Sequence, residues 1–254
     1  MTTPHTHRID IAGEVVIKTY VDWARDEHLR EWSALQLISA AKPHLVPTPI
    51  EFVAPTPQPS ITMSRLPGEP LGGSLTAEQL RGLQAALTEL WSIAPAGLEP
   101  VDYAAFVERV RRGNSSWEGS GIIVEAQLAA AEWLVGSAAD ELIEPVDAIV
   151  GHVDPNLANY LWDGSQVRII DFEDAGQSDL AVELANLVEH IASRATDWTG
   201  FLAQFSVDAE RFQDARRLYA IFWLTLLRPD GPSGHRNPAG TAELQAERVL
   251  GLLS

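Results

Sequence analysis

The stretch "GHVDPNLANYLWDGSQVRIIDFEDAG", residues 151–176, carries five acids, two Asn and a His among apolar residues that otherwise read as two short strands. The Asp-Gly step inside DGSQ (163–166) is a strong hairpin signal, so the flanking runs NYLW and VRII predict an antiparallel pair. In that register Trp162 faces Val167 and Asn159 faces Ile170, which brings Asn159 within reach of Asp171 where the strand ends twist together. A hard cation such as Mg²⁺ takes a few carboxylate or carbonyl oxygens and fills its other positions with water and substrate phosphates. Asn159 and Asp171 suit that role. Asp154 lies at the mouth of the same loop, where it can accept a proton from an attacking hydroxyl. His152 holds the loop by hydrogen bonding, and Pro155 stiffens the turn by fixing φ. Turn preference explains any one of these acids. It does not explain the ordered run of His, Asp, Asn and Ile-Asp.

Around this stretch lie 254 residues, 46% of them hydrophobic and eight of them Trp, a composition that predicts a folded globular protein of one large domain or two lobes. The longest apolar run near the end, Tyr219 to Leu227, falls short of the roughly 20 residues of a membrane helix and predicts a buried one. MTTPHTHRID lacks a basic region followed by an apolar stretch, so no secretory signal and no membrane association are expected, and the address is cytoplasmic. The absence of Cys excludes disulfides and thiolate metal sites. A formal charge of −17 argues against nucleic acid as a partner, since polyphosphate binding draws on Lys and Arg. The same charge draws in a cationic ligand, or simply keeps the protein soluble.

HRIDI (7–11) and EVVIKTY (14–20) predict a hairpin closed by Ala12 and Gly13. DEHLREWSALQLISAAK (26–42) has helical spacing and stops at Pro43. PIEFVA (49–54) and SITMSRL (60–66) are strands confined by their prolines, and PGEPLGG is a connector. Helices are predicted over 75–93, 101–112, 122–135, 179–193, 208–228 and 241–253, so a mostly helical part carries one β insert.

GHVDPNLANYLW followed by IIDFEDAGQSDLAVELA resembles the catalytic and metal loops of the aminoglycoside phosphotransferase family, small-molecule kinases with the protein-kinase fold. The resemblance implies an α+β, two-lobed, protein-kinase-like architecture. A small β-rich lobe with one long helix (1–66) would bind nucleotide. A larger, mainly helical lobe (67–254) would carry the catalytic and metal loops and the acceptor pocket. It implies ATP and Mg²⁺ as cofactors, Asp154 as catalytic base supported by His152, Asn159 and Asp171 as metal ligands, and Asp179 as a brace for the catalytic loop. EVVIKTY resembles the strand of the phosphate-contacting Lys, here Lys18, and REWSALQLI the helix whose Glu31 pairs with it. SITMSRLPGEPL resembles the adenine-holding hinge, with backbone groups of Ser64 and Leu66 as the hydrogen-bonding pair and Met63 near the ring. The family begins with a further strand and a loop over the phosphates. No Gly-rich loop is visible before Lys18, so MTTPHTH forms a reduced cover or the phosphates are held without one.

The implied activity is transfer of the γ-phosphate of ATP to a hydroxyl of a small molecule, with aminoglycosides and other antibiotics among the acceptors. Glu118, Glu125, Asp197, Asp208, Glu210 and Asp214 can greet a cationic one. A catalytically idle kinase-like protein that binds a nucleotide or small ligand is the alternative, and a metal-dependent phosphoesterase using His152, Asp154 and Asp171 is a third reading.

Overall fold

The computed structural model describes residues 7–21, 25–117, 119–229 and 231–254. The expected phosphate cover over MTTPHTH and the acidic Glu118 lie outside these residues, apart from His7. The chain divides into two compact units, one of residues 1–101, 148–178 and 195–201, the other of 102–147, 179–194 and 202–254.

The first unit is built on an antiparallel sheet in the order β1-β2-β4-β3, from β1 (His7–Ala12), β2 (Val15–Tyr20), β3 (Pro49–Val53) and β4 (Ser60–Ser64). Ala12 pairs with Val15, so the hairpin loop is Gly13-Glu14 rather than Ala12-Gly13. Gly13 takes φ +62°, the left-handed turn conformation that costs glycine nothing. Alternation on β2 sends Val16, Lys18 and Tyr20 to one face, and Lys18 stands between Ile9 on β1 and Ile61 on β4. Helix α1 (Glu27–Ala41) follows β2. It buries Glu31 together with Ala34, Leu35 and Ile38, the helical repeat of its inner face.

Two small sheets complete this unit. One is β5-β7-β8, from β5 (Glu69–Pro70), β7 (Tyr160–Trp162) and β8 (Val167–Ile169); the other pairs β6 (Ile149–Gly151) with β9 (Gly176–Ser178). The segment expected to hold two strands thus holds four. The extra pair and β5 are only two or three residues long, too short to leave a period in the sequence. Trp162 does face Val167, and the Ile170 N–H donates to the Asn159 carbonyl at 2.9 Å, which continues the expected register past the strand ends. Helix α2 (Ala77–Trp91) opens with a Thr76–Gln79 capping box and buries Leu83, Leu87 and Leu90. Each such side chain contributes about 1.5–3 kcal/mol on burial.

The second unit is helical: α3 (Tyr103–Ser115), α4 (Ile122–Leu134), α5 (Ser137–Asp140), α6 (Leu180–Glu189), α8 (Ala209–Leu226) and α9 (Thr241–Leu253), with α7 (Thr199–Leu202) ending inside it. The apolar run from Tyr219 lies in α8, which packs on α3, α6 and α9. Among the described residues no helix is long and apolar enough to cross a membrane. The helix expected over 179–193 breaks after Glu189, where the His190 ring nitrogen Nδ1 accepts the Ala192 N–H at 3.1 Å and starts a separate short turn. Asp208 caps α8, Asp214 pairs with Arg217 at 2.7 Å, and Asp197 accepts the Thr199 N–H, so three of the acids expected to greet a cation have local partners.

Candidate active site

Lys18 is the centre of the site. Its side chain is 6% exposed, and its ammonium donates to Glu31 at 2.6 Å, to Glu173 at 2.8 Å, and to Asp171. Burial alone would lower its pKa, but the three acids outweigh it and raise the group well above the usual lysine range. The expected Lys18–Glu31 pair is therefore present. It is reinforced by Tyr20, fully buried, whose hydroxyl donates to the same Glu31 oxygen that holds Lys18. Burial first and Glu31 second push the Tyr20 hydroxyl far above its ordinary range, so it stays a donor.

Lys18, Glu31 and Asp171 line one end of a cavity of about 380 Å³, whose apolar walls include Ile9, Val16, Met63, Leu161 and Ile170. Met63, Ser64 and Leu66, the expected hinge residues, line the same cavity. The Ser64 N–H donates to the Thr48 carbonyl at 2.9 Å. An apolar slot lined also by a buried ammonium suits a flat aromatic ring joined to an anionic tail.

The catalytic-loop residues fall beside this cavity in chain order. His152, 1% exposed, lies 2.8 Å through Nε2 from the Ile170 carbonyl and packs its ring on Phe172, so it ties the loop to the residue before Asp171. Asn159 donates its amide N–H2 to the Asp154 carbonyl and carboxylate, both at 3.1 Å, which leaves the amide oxygen available as an acceptor. Burial pushes the Asp154 carboxyl up, and Asp171 adds to this, against the opposing pull of His152 and the Asn159 hydrogen bond. That is the direction expected of a carboxylate tuned toward proton transfer. Val153 at φ +70° and Asp171 at φ +69° both hold left-handed backbone without being glycine. Such residues cost of order 1–3 kcal/mol and cluster at functional sites.

The donor set fits a divalent cation. Asp171 has a side chain 36% exposed toward the cavity, and Asn159 offers a neutral oxygen, the hard ligands such an ion takes alongside water and phosphate. Carboxylate oxygens of Glu31, Asp171 and Glu173 also lie within 4.8 Å of one another. Three residues of the cluster escape sequence reading: Glu173, Tyr20 and His7, whose Nε2 lies 2.5 Å from Glu173. Tyr20 was within reach of it, because residues two apart on a strand share a face with Lys18. His7 and Glu173 meet only through the fold. Asp179, expected as a brace, caps α6 through the Val182 N–H at 3.0 Å and accepts Arg211 within the second unit.

Comparison with known proteins follows the same lines. The family described as "Phosphotransferase enzyme family" matches residues 9–221. A choline/ethanolamine kinase family protein from Mesorhizobium loti superposes with a TM-score of 0.68 at 15% identity, over 99% of this chain and 86% of that one. A thermostable mutant of aminoglycoside phosphotransferase APH(4)-Ia, in ternary complex with AMP-PNP and hygromycin B, gives 0.69 at 13% identity over 99% and 92%. The choline kinase LicA from Streptococcus pneumoniae gives 0.66 at 12% identity over 100% and 91%. The α+β, protein-kinase-like fold is thereby shown. A search of curated proteins gives no match.

Proposed function

We propose that this chain, which belongs to the phosphotransferase enzyme family, uses ATP and Mg²⁺ to phosphorylate a hydroxyl group of a small molecule in the cytoplasm. The observation that carries the reading is the meeting of Lys18, Glu31, Asp171, Met63, Ser64 and Leu66 around one cavity. They come from four separate stretches of the sequence, around Lys18, Glu31, 63–66 and Asp171, and each has a separate part in holding a nucleotide. In this assignment the adenine lies against Met63 with the Ser64 carbonyl and the Leu66 N–H as its partners. Lys18, fixed by Glu31, neutralises phosphate oxygens. Asp171 and the Asn159 amide oxygen hold the metal, which supplies charge neutralisation on the phosphates when bound. Asp154 accepts the proton of the acceptor hydroxyl as that oxygen attacks the γ-phosphorus, and the Asn159 amide keeps its carboxylate aimed. His152 holds the loop from behind. Residues 1–66 form the nucleotide part and 67–254 carry the catalytic loop and the acceptor pocket.

The acidity of the chain, −17 overall, favours a cationic acceptor, and hygromycin B in the APH(4)-Ia complex is one acceptor class to try. The test is transfer from γ-labelled ATP to a panel of aminoglycosides, amino alcohols and peptide antibiotics, with wild type and Asp154→Asn in parallel. Labelled product from wild type and none above background from Asp154→Asn is the expected result. Tight ATP binding with no product on any acceptor would instead favour an idle nucleotide-binding protein.

A further inference from the structure

The three carboxylates around Lys18 are not held alike. Glu31 is 1% exposed and takes the Tyr20 hydroxyl as well as Lys18. Glu173 is 17% exposed and has His7 Nε2 at 2.5 Å as well as Lys18 at 2.8 Å. Burial would raise the Glu173 carboxyl, but His7 and Lys18 together hold it down at about 2. Asp171, 36% exposed, has Lys18 as its sole hydrogen-bonding partner among the described side chains. Glu31 and Glu173 therefore each have a second close partner, the Tyr20 hydroxyl and the His7 ring, and those two rings lie 4.7 Å apart between centroids. The same turn is fastened to the start of α1 and the residues before it: Arg30 donates to the Glu173 carbonyl at 2.9 Å and Arg25 to the Asp174 carboxylate at 3.0 Å.

A lysine that neutralises phosphate must stay in place when its neighbour Asp171 turns to a divalent cation. From this geometry we infer that Glu173, fixed by His7, is a positioning residue that keeps Lys18 aimed into the cavity once Asp171 is engaged elsewhere. With Glu31 alone, a four-carbon side chain pivots about a single contact. With Glu31 on one side and Glu173 on the other it does not, and less rotamer entropy is lost on nucleotide binding. His7 lies on edge strand β1 and Glu173 two residues past Asp171, so the tie also fastens the cavity's Ile9 and Ile11 wall to the metal turn. The rival use of Glu173 is as a metal ligand, since its oxygen lies within 4.8 Å of those of Glu31 and Asp171. Against this, Glu173 already accepts from Lys18 and has the His7 ring against it, and the Lys18 ammonium stands among the three acids.

The inference rests on the nucleotide reading of the cavity, and its test separates the two. ADP affinity is measured by calorimetry, and Mn²⁺ affinity by electron paramagnetic resonance without nucleotide, for wild type, His7→Ala, His7→Gln and Glu173→Gln. The expected result is ADP binding about tenfold weaker in His7→Ala and Glu173→Gln, the scale of one lost charge-assisted hydrogen bond. His7→Gln, which keeps a donor, recovers most of the loss, and Mn²⁺ affinity is unchanged throughout. Loss of Mn²⁺ binding in Glu173→Gln with His7→Ala silent would assign Glu173 to the metal and overturn the inference. Variants that bind ADP as wild type does would overturn it alone, whereas a wild type that binds no nucleotide would overturn the functional reading with it. If Glu173→Gln fails to fold, the two His7 variants carry the same comparison.

Discussion

The two units of this chain each bury a charge cluster, and the clusters are built in opposite senses. In the first unit one cation, Lys18, sits under three carboxylates, and one of those, Asp171, has a side chain 36% exposed. In the second, one carboxylate, Glu189, is 0% exposed and takes Arg216 at 2.8 Å and Arg248 at 2.7 Å. Arg194 packs alongside, donating to Gln245, and burial lowers its pKa. Both clusters meet the rule that buried charges are paired. They differ in surroundings: Lys18 and Asp171 line the cavity, whereas the exposed member of the Glu189 cluster is one of its arginines, Arg248, at 38%. An ion cluster that lines a cavity has room there for a further charged ligand. That contrast separates a binding centre from a structural lock.

The comparison can be broken at its strongest point first. Asp154→Asn is expected to lower turnover about 10²- to 10⁴-fold while ADP affinity stays within a factor of about two, measured by initial rates and calorimetry. Equal losses of both would show that Asp154 supports the fold rather than the reaction. Glu189→Gln is expected to leave nucleotide affinity unchanged and to destabilise the protein by about 1–3 kcal/mol, because Arg216 and the partly exposed Arg248 then lose their counter-charge. Urea denaturation measures this, and a neutral outcome would remove the structural-lock reading.

A smaller effect is set by pH. Burial, with Arg194 adding, lowers the His190 pKa from 6.5 to about 4. The unfolded chain then binds a proton between these values that the folded protein refuses. The contribution is fully present above pH 6.5 and is lost as pH falls toward 4, a change of about 3 kcal/mol at most. His190→Gln is expected to flatten that part of the stability profile between pH 4 and 6.5, and an unaltered slope would place the effect elsewhere.

How much of this was legible in the sequence follows the same division. The β7–β8 register could be read residue by residue because the Asp-Gly step fixes the turn between them. The Lys18–Glu31 pair could be proposed because EVVIKTY and REWSALQLI resemble the family's lysine strand and glutamate helix. Glu173 and His7 could not: their pairing spans from the edge strand to the metal turn, and no local period links residues so far apart. The left-handed backbone of Val153 was equally hidden, since nothing in a valine signals it and the surrounding loop imposes it. The short strands β5, β6 and β9 were missed because two or three residues carry no alternation. Asp163 was legible too: expected to open the hairpin turn, it accepts from Ser165 and Gln166 and pairs with Arg168 there.

The most direct measurement of the central claim is ADP binding with Mg²⁺, by calorimetry, to wild type, Lys18→Ala and Glu189→Gln. The open cluster predicts that Lys18→Ala loses at least about tenfold in affinity, on the scale of a lost ion contact to phosphate, while Glu189→Gln binds as wild type does. Undiminished binding by a folded Lys18→Ala protein would contradict the assignment of the cavity to a nucleotide.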